Sequence, residues 1–130
     1  MTDAQKSGPL VEVKDLKQYF NVNMGFFRTR PLKAVDGVDF QIRKGETLGV
    51  VGESGCGKST TARLLLHLIK PDRGTMVFDG RTVGGRELPM KDFRRQAQMV
   101  FQDSYASLNP RLTIEDSIAF APIVHGVPRE

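Results

Sequence analysis

The strongest constraint on this 130-residue chain is the segment GESGCGKS at positions 52–59, which fits the pattern G-x-x-x-x-G-K-[ST] in full. The nearly all-apolar stretch TLGVV at 47–51 precedes it and predicts a central parallel strand covered on both faces. From 58 to 69 the apolar residues follow helical spacing around most of the circumference, which predicts a mostly buried helix ended by Pro71 and Gly74. A strand, a glycine-rich loop and a helix in this order predict a phosphate-binding loop.

The chemistry of a bound phosphate explains the residue types of this loop. Glycines at 52, 55 and 57 allow positive φ and let successive backbone N–H groups approach an anion. Lys58 supplies a mobile positive charge for the β- and γ-phosphates, and Ser59 offers a hydroxyl to Mg²⁺. Cys56 is interpreted as a residue small enough for the loop rather than as a reactive thiol. The predicted nucleotide-binding residues here are Gly52, Glu53, Ser54, Gly55, Cys56, Gly57, Lys58, Ser59 and Thr60.

Composition excludes several classes of protein. Hydrophobic residues make up 39% and charged residues 26%, as in ordinary globular domains, so the chain is predicted to be neither disordered nor fibrous. No apolar run approaches the ~20 residues of a spanning helix, and the first residues lack the apolar core of a secretory signal. The single cysteine suits a reducing compartment. A net charge of +4 is compatible with an anionic ligand and too small to indicate nucleic-acid binding.

The rest of the sequence predicts an α/β layout. Residues 1–9 are interpreted as a disordered leader, and 21–31, rich in Asn, Gly and Pro, as a loop. The other predicted elements are strands at 10–13, 34–43, 75–78 and 99–101, a further segment at 15–20, and helices at 88–96 and 113–119.

Several segments together resemble one known family. VGESGCGKST resembles the ATP-binding subunits of ABC transporters, and the longer run 34–60 is most similar to the ATPases of oligopeptide and dipeptide importers. PDRGTMVFDG at 71–80 resembles the segment that follows the phosphate-loop helix, and VFQDSYASLNPR at 100–111 resembles the Q-loop in its peptide-importer form. The resemblance implies an α/β P-loop NTPase of the ABC ATPase type with an antiparallel β subdomain. Residues 10–130 would then be a partial ATP-binding domain that stops before the signature and Walker B segments.

The resemblance also implies roles for residues outside the loop. Gln102 corresponds to the Q-loop glutamine, which ligates Mg²⁺ together with Ser59, contacts the attacking water and senses the membrane subunit. Phe20 stands where the family stacks an aromatic ring on adenine, with Tyr19 as the alternative. His67 is interpreted as a core histidine, and His125 receives no role. Three cations are interpreted as a solvated basic loop rather than as contacts to phosphate or membrane lipid: Arg28, Arg30 and Lys33.

The function implied by the resemblance is ATP binding. In the complete protein, ATP binding and hydrolysis would together energise the import of oligopeptides or dipeptides. ATP and Mg²⁺ are the implied cofactors, and the cytoplasmic face of the membrane is the implied location. The implied partners are membrane subunits, a second ATP-binding subunit placed head to tail and, indirectly, an external peptide-binding subunit. No nucleic-acid partner is expected.

Hydrolysis by these 130 residues is left open. They contain no LSGGQ-like signature, no apolar run ending in Asp-Glu and no switch histidine after it, so no catalytic residue is assigned. We expect binding of MgATP with hydrolysis near background, because a missing general base alone lowers rates about 10²–10⁴-fold. The alternatives are a non-catalytic nucleotide-binding fragment and a different small P-loop NTPase, such as a kinase or GTPase, which would leave the match at 100–111 unexplained.

Overall fold

The computed structural model describes residues 8–25, 28–103 and 108–128. Most of the predicted leader, residues 1–7, lies outside this range. The chain divides into two compact units, Met1–Arg94 and Arg95–Glu130. The elements are β1 (Val11–Asn23), β2 (Thr29–Ile42), α1 (Lys58–Leu65), β3 (Arg73–Phe78), β4 (Arg81–Thr82), α2 (Met90–Gln96) and α3 (Ile114–Val124).

The first unit is built on a four-stranded antiparallel sheet in the order β2-β1-β3-β4. The long central strand β1 pairs with β2 from Val11, opposite Ile42, to Asn23, opposite Thr29. On its other side β1 pairs with β3 over a shorter length that ends where Lys17 lies opposite Arg73. The antiparallel β subdomain implied by the resemblance is therefore confirmed.

The loop predicted at 21–31 is wrong over most of its length, because β1 continues to Asn23 and β2 begins at Thr29. The asparagines and Pro31 indicate a loop locally, but cross-strand pairing decides the conformation. Asn21 lies opposite Pro31 in the ladder, and β2 is an edge strand, where the missing N–H of a proline can face away from the sheet. The turn itself is short, with the N–H of Met24 donating to the carbonyl of Arg28 at 2.8 Å.

The hydrophobic core of the first unit lies between the sheet and the helices. Leu64 of α1 packs near Leu16, Met76 and Val83, with which it lines a small cavity of about 110 Å³. The ring of Phe93 from α2 meets Phe78 edge to face at 5.4 Å. The buried hydrophobic side chains are Val13, Leu16, Val35, Leu64, Met76, Val83, Leu88 and Phe93.

Helix α1 is shorter and more exposed than predicted. It ends at Leu65 rather than 69, because His67 adopts φ +49°, a left-handed conformation that interrupts the helical hydrogen-bond ladder. The N–H of His67 donates to the carbonyl of Leu64, one residue short of helical spacing. Only Leu64 is fully buried in α1, and Leu68 beyond its end is exposed. The predicted helix end at Pro71 is therefore wrong, and so is the prediction of a mostly buried helix, because most side chains of α1 are only partly buried or exposed.

The strands predicted at 47–51 and 99–101 are absent from the described residues, which provide no ladder partner for either segment. Val51 is 93% exposed and Val100 96% exposed. The physical reason is that a short apolar run forms a buried parallel strand only when neighbouring strands lie on both sides.

The helix predicted at 113–119 is confirmed and continues to Val124. Thr113 is its N-cap: the N–H of Asp116 donates to the Thr113 hydroxyl at 3.1 Å, which satisfies one of the free amides of the first turn. The helix predicted at 88–96 begins two residues later, as α2 at Met90. No helix in the described part of the chain is long and apolar enough to cross a bilayer.

We expect His67 to make stability depend on pH. Burial first, and the charge of Arg94 second, lower the pKa of His67 below its usual value. A histidine with a lowered pKa in the folded state favours folding above its unfolded-state pKa of about 6.5. That contribution is lost as the pH falls toward the folded-state pKa. The Tm measured by circular dichroism should therefore fall between about pH 7.5 and 5.5, and His67→Asn should make this fall smaller.

Asparagine is chosen because it does not titrate and tolerates a left-handed backbone. The matched control is His125→Asn, which replaces the chain's other histidine and should leave the pH dependence in place. An unchanged pH dependence in His67→Asn would contradict the assignment.

Candidate functional site

The glycine-rich segment 52–57 ends in the N-terminus of α1, with Gly57 as the N-cap at φ +97°. The first N–H groups of a helix have no intrahelical acceptors. At this end of α1 no side chain caps them, and the first turn contains no acidic residue. These amides and the positive end of the helix dipole are therefore available to an anion.

Gly57 also marks a close approach between β2 and the start of the helix. A Cβ atom at this position would lie 2.4 Å from the carbonyl oxygen of Ala34 and 3.8 Å from Cγ2 of Val35. Only a residue without a side chain permits this approach, and the backbone of β2 therefore lies directly against the start of α1. The edge strand is in this way placed beside the glycine-rich loop.

Lys58 is held over the loop by backbone carbonyls. Its Nζ donates to the carbonyl of Gly52 at 2.7 Å and to that of Glu53 at 2.6 Å. The Sγ atom of Cys56 lies 3.4 Å away. The ammonium group is thus already positioned at the concave side of the loop, at the N-terminus of α1.

A cavity of about 300 Å³ joins the loop to the hairpin formed by β1 and β2, a volume at the lower end of the range for small-molecule sites. One part of its wall is aromatic and aliphatic, from Phe20 and Leu32, and another part is cationic and polar, from Lys58 and Ser59. The lining residues are Phe20, Leu32, Lys33, Ala34, Gly55, Gly57, Lys58, Ser59 and Thr60. Such a cavity can accept a flat ring at one end and an anionic group at the other.

The structure brings six of the predicted site residues to this cavity: Phe20, Gly55, Gly57, Lys58, Ser59 and Thr60. Four others are exposed residues of the same loop that do not line it: Gly52, Glu53, Ser54 and Cys56. Gln102 is exposed in the second unit, and its role remains a prediction.

Tyr19, the alternative to Phe20, has other contacts and does not line the cavity. Its hydroxyl donates to the carboxylate of Asp36, and Lys33 Nζ lies 5.5 Å from its ring centroid and 3.0 Å from Asp36 Oδ2. The hydrogen bonds from Tyr19 and Lys33 hold the pKa of Asp36 below its usual value, and the bond to Asp36 raises the pKa of Tyr19. Phe20 is thus the aromatic residue that the fold places at the cavity.

Sequence reasoning missed Leu32 and Ala34, which line the cavity. Lys33, interpreted as part of a solvated loop, instead lies in β2 and also lines the cavity. Leu32 lies directly opposite Phe20 in the β1–β2 register, so the two side chains share one face of the hairpin. Alternation along a strand could have found Leu32 only if the hairpin had been predicted first.

Comparisons with known proteins agree with this geometry. The family model described as ABC transporter matches residues 35–127. Oligopeptide transport ATP-binding proteins AppF and OppF of Bacillus subtilis are 48% and 50% identical to this chain, over 84% and 89% of it. Dipeptide transport ATP-binding protein DppF of Haemophilus influenzae is 43% identical over 94%. The alignments cover 34%, 37% and 38% of these relatives, so the chain spans about a third of their length.

Solved structures show the same fold. A structure described as an ATP-binding subunit of an ABC transporter is 26% identical, with a TM-score of 0.62 over 92% of this chain and 44% of its own. The structure of cbiO1 from Clostridium perfringens has a TM-score of 0.56 at 23% identity, over 85% of this chain and 47% of its own. The α/β architecture of the ABC ATPase type is therefore confirmed.

We expect Gly57→Ala to destabilise the protein much more than Gly55→Ala. Both residues have positive φ, so an alanine costs about 1–2 kcal/mol at either position. A Cβ at Gly55 meets open space, whereas one at Gly57 collides with the Ala34 carbonyl, which adds about 1–3 kcal/mol. Urea denaturation measures the free energy of unfolding of each variant. An equal decrease in the two variants would show that the close approach at Gly57 does not affect stability.

Proposed function

This chain belongs to the ABC transporter family, and on that premise we propose that it binds MgATP as the nucleotide-binding part of an ATP-driven peptide importer subunit. The observation that supports ATP binding is one cavity lined by Phe20, by Lys58 and by the uncapped N-terminus of α1. The sequence similarity to oligopeptide and dipeptide transport ATP-binding proteins supports the peptide branch.

The polar part of the cavity suits a polyphosphate. Lys58 and the first residues of α1 line this cavity, and charge-assisted hydrogen bonds to a phosphate contribute about 1.5–3 kcal/mol each. The helix dipole adds only about 0.3–2 kcal/mol. Lys58 and the loop amides are therefore the main source of phosphate affinity in this proposal.

The apolar part of the cavity suits the base. Phe20 and Leu32 present an aromatic ring and an aliphatic side chain on the same face of the hairpin. Stacking of a nucleobase on an aromatic side chain contributes about 1–3 kcal/mol. This arrangement orients the nucleotide with its adenine toward the hairpin and its phosphates toward α1.

The Ser59 hydroxyl at the start of α1 is the group in the cavity that fits Mg²⁺, which would neutralise charge on the β- and γ-phosphates. Gln102 is proposed as a second ligand on the strength of the resemblance of residues 100–111 alone. In the whole protein we propose that it also senses the membrane subunit.

For the whole protein we propose a peripheral subunit on the cytoplasmic face of the membrane, bound to the membrane subunits of a peptide importer. A second ATP-binding subunit would pair with it head to tail, and an external peptide-binding subunit would act indirectly. A small kinase or GTPase is the weaker alternative, because it does not account for the similarity to transport ATP-binding proteins over more than four fifths of this chain.

The two ends of the cavity can be tested separately with ATP and inorganic tripolyphosphate as calorimetric ligands in the presence of Mg²⁺. Lys58→Ala removes a phosphate contact and should weaken binding of both ligands by about 10–100-fold. Phe20→Ala removes only the stacking surface, so it should weaken ATP by about 5–100-fold and leave tripolyphosphate unchanged.

Matched controls are Lys91→Ala and Phe120→Ala, which remove an exposed cation and an exposed aromatic ring that do not line the cavity. Both should bind ATP as the unmodified chain does. Full ATP affinity in Lys58→Ala would refute the proposed site. An equal loss of both ligands in Phe20→Ala would refute the assignment of the base end.

The peptide branch can be tested with a chimera in which this chain replaces the part of OppF from Bacillus subtilis that it matches, 37% of that protein. The chimera should restore uptake of oligopeptides in cells that lack OppF, and the same chimera with Lys58→Ala should not. Immunoblotting of the membrane fraction shows whether each chimera is present. A chimera that is present in the membrane fraction, binds ATP and supports no uptake would contradict the assignment to peptide import.

A further inference from the structure

The hairpin of β1 and β2 extends beyond the rest of the sheet. β3 pairs with β1 only as far as Lys17, and beyond it the N–H of Tyr19 donates to Asp72 Oδ2 at 2.7 Å. We call the part beyond this point the hairpin arm, residues 20–25 and 28–33. A two-stranded hairpin of this kind has little stability of its own in water, so packing against another surface would stabilise the arm.

One face of the hairpin arm carries an apolar strip. Phe20 lies opposite Leu32, and Val22 lies opposite Arg30, so these side chains share one face. Phe20 belongs to the nucleotide cavity, and the outer part of the strip lines an adjoining open groove of about 370 Å³, with Leu32 lining both. Val22, Met24 and Leu32 in this groove are 40%, 64% and 55% exposed.

The arm also concentrates positive charge. The arm contains three basic residues and no Asp or Glu, and the neighbouring Lys17 at its base is a fourth basic residue. The two basic residues at the base lie near carboxylates: Lys17 is 2.9 Å from Asp15, and Lys33 is 3.0 Å from Asp36. Arg28 and Arg30, at the outer end, are exposed.

We propose that the hairpin arm docks the protein onto the surface of a bilayer that contains anionic phospholipids. Aliphatic side chains beside arginines match the boundary between acyl chains and headgroups. The guanidinium groups can bind lipid phosphates in a bidentate manner while their alkyl stems cover apolar surface. This proposal goes beyond nucleotide binding and does not depend on it.

The size and composition of the arm favour a lipid surface over an acidic protein. The outer part, residues 21–25 and 28–32, comprises ten described residues, whereas a stable protein interface uses about 20–30 residues on each side. The cores of protein interfaces are also depleted in charged residues, and here Arg30 lies within the apolar groove.

The first test is sedimentation of the 130-residue chain with phosphatidylcholine vesicles that contain or lack about 40% phosphatidylserine. At about 0.1 M NaCl it should bind only the vesicles with phosphatidylserine, and about 0.5 M NaCl should release it. Arg28→Gln/Arg30→Gln should lower the partition coefficient about 25-fold, since each basic residue near such a surface contributes about fivefold.

The matched control is Arg86→Gln/Lys91→Gln, which removes two exposed cations outside the arm and gives the same net charge. Its partition coefficient should fall less than fivefold. Both double variants should keep the Tm of the unmodified chain by circular dichroism, which shows that each is folded. Equal losses in the two double variants, or binding of the unmodified chain to neither kind of vesicle, would overturn the proposal.

A second readout uses the absence of tryptophan from the sequence. In Met24→Trp the new indole should shift its emission to shorter wavelength when phosphatidylserine vesicles are added, because the arm enters a less polar environment. Val100→Trp places an indole at another exposed position and should show no shift. No shift in Met24→Trp would overturn the proposal. So would an arm variant that keeps vesicle binding but loses binding to detergent-solubilised importer membrane subunits, since the docking surface would then be a protein.

Discussion

The close passage of β2 across the start of α1 determines the geometry of the site. At Gly57 the two backbones approach so closely that a single Cβ would collide with the carbonyl oxygen of Ala34. Leu32 and Phe20 belong to the same hairpin as Ala34. The contact at Gly57 therefore fixes the distance between the apolar wall of the cavity and the phosphate loop. The cavity therefore depends on a contact between two pieces of backbone more than on any pair of side chains.

The sequence predicted the parts of the site that are contiguous and local. The loop motif identified Lys58, Ser59 and the glycines because their chemistry depends on the order of neighbouring residues. Leu32 and Ala34 were missed because their role depends on which strand lies opposite β1, a non-local property. Asn21, Asn23 and Pro31 are local loop signals, and pairing along the edge of the sheet overrides them.

The same distinction explains the errors in the fold. An apolar run such as TLGVV indicates that both faces are suited to burial, but it carries no information about which strands lie beside it. Within the described residues those neighbours are absent, and the segment is largely exposed. The end of α1 was missed for another reason: His67 adopts a left-handed conformation that glycine, asparagine and aspartate adopt most often, and residues 64–70 contain none of these three residue types.

The two carbonyls that hold Lys58 have a consequence for selectivity. A bound anion does not gain a free ammonium group, since it must replace acceptors at 2.6 and 2.7 Å that the loop already provides. A monovalent anion such as chloride or acetate offers too few acceptor atoms to compensate for that exchange. An anion with several oxygens, spread over the ammonium and the helix amides together, makes enough new bonds to favour it. In the phosphate binding that we propose, the loop would therefore select an anion by the number of its acceptor atoms as well as by its charge.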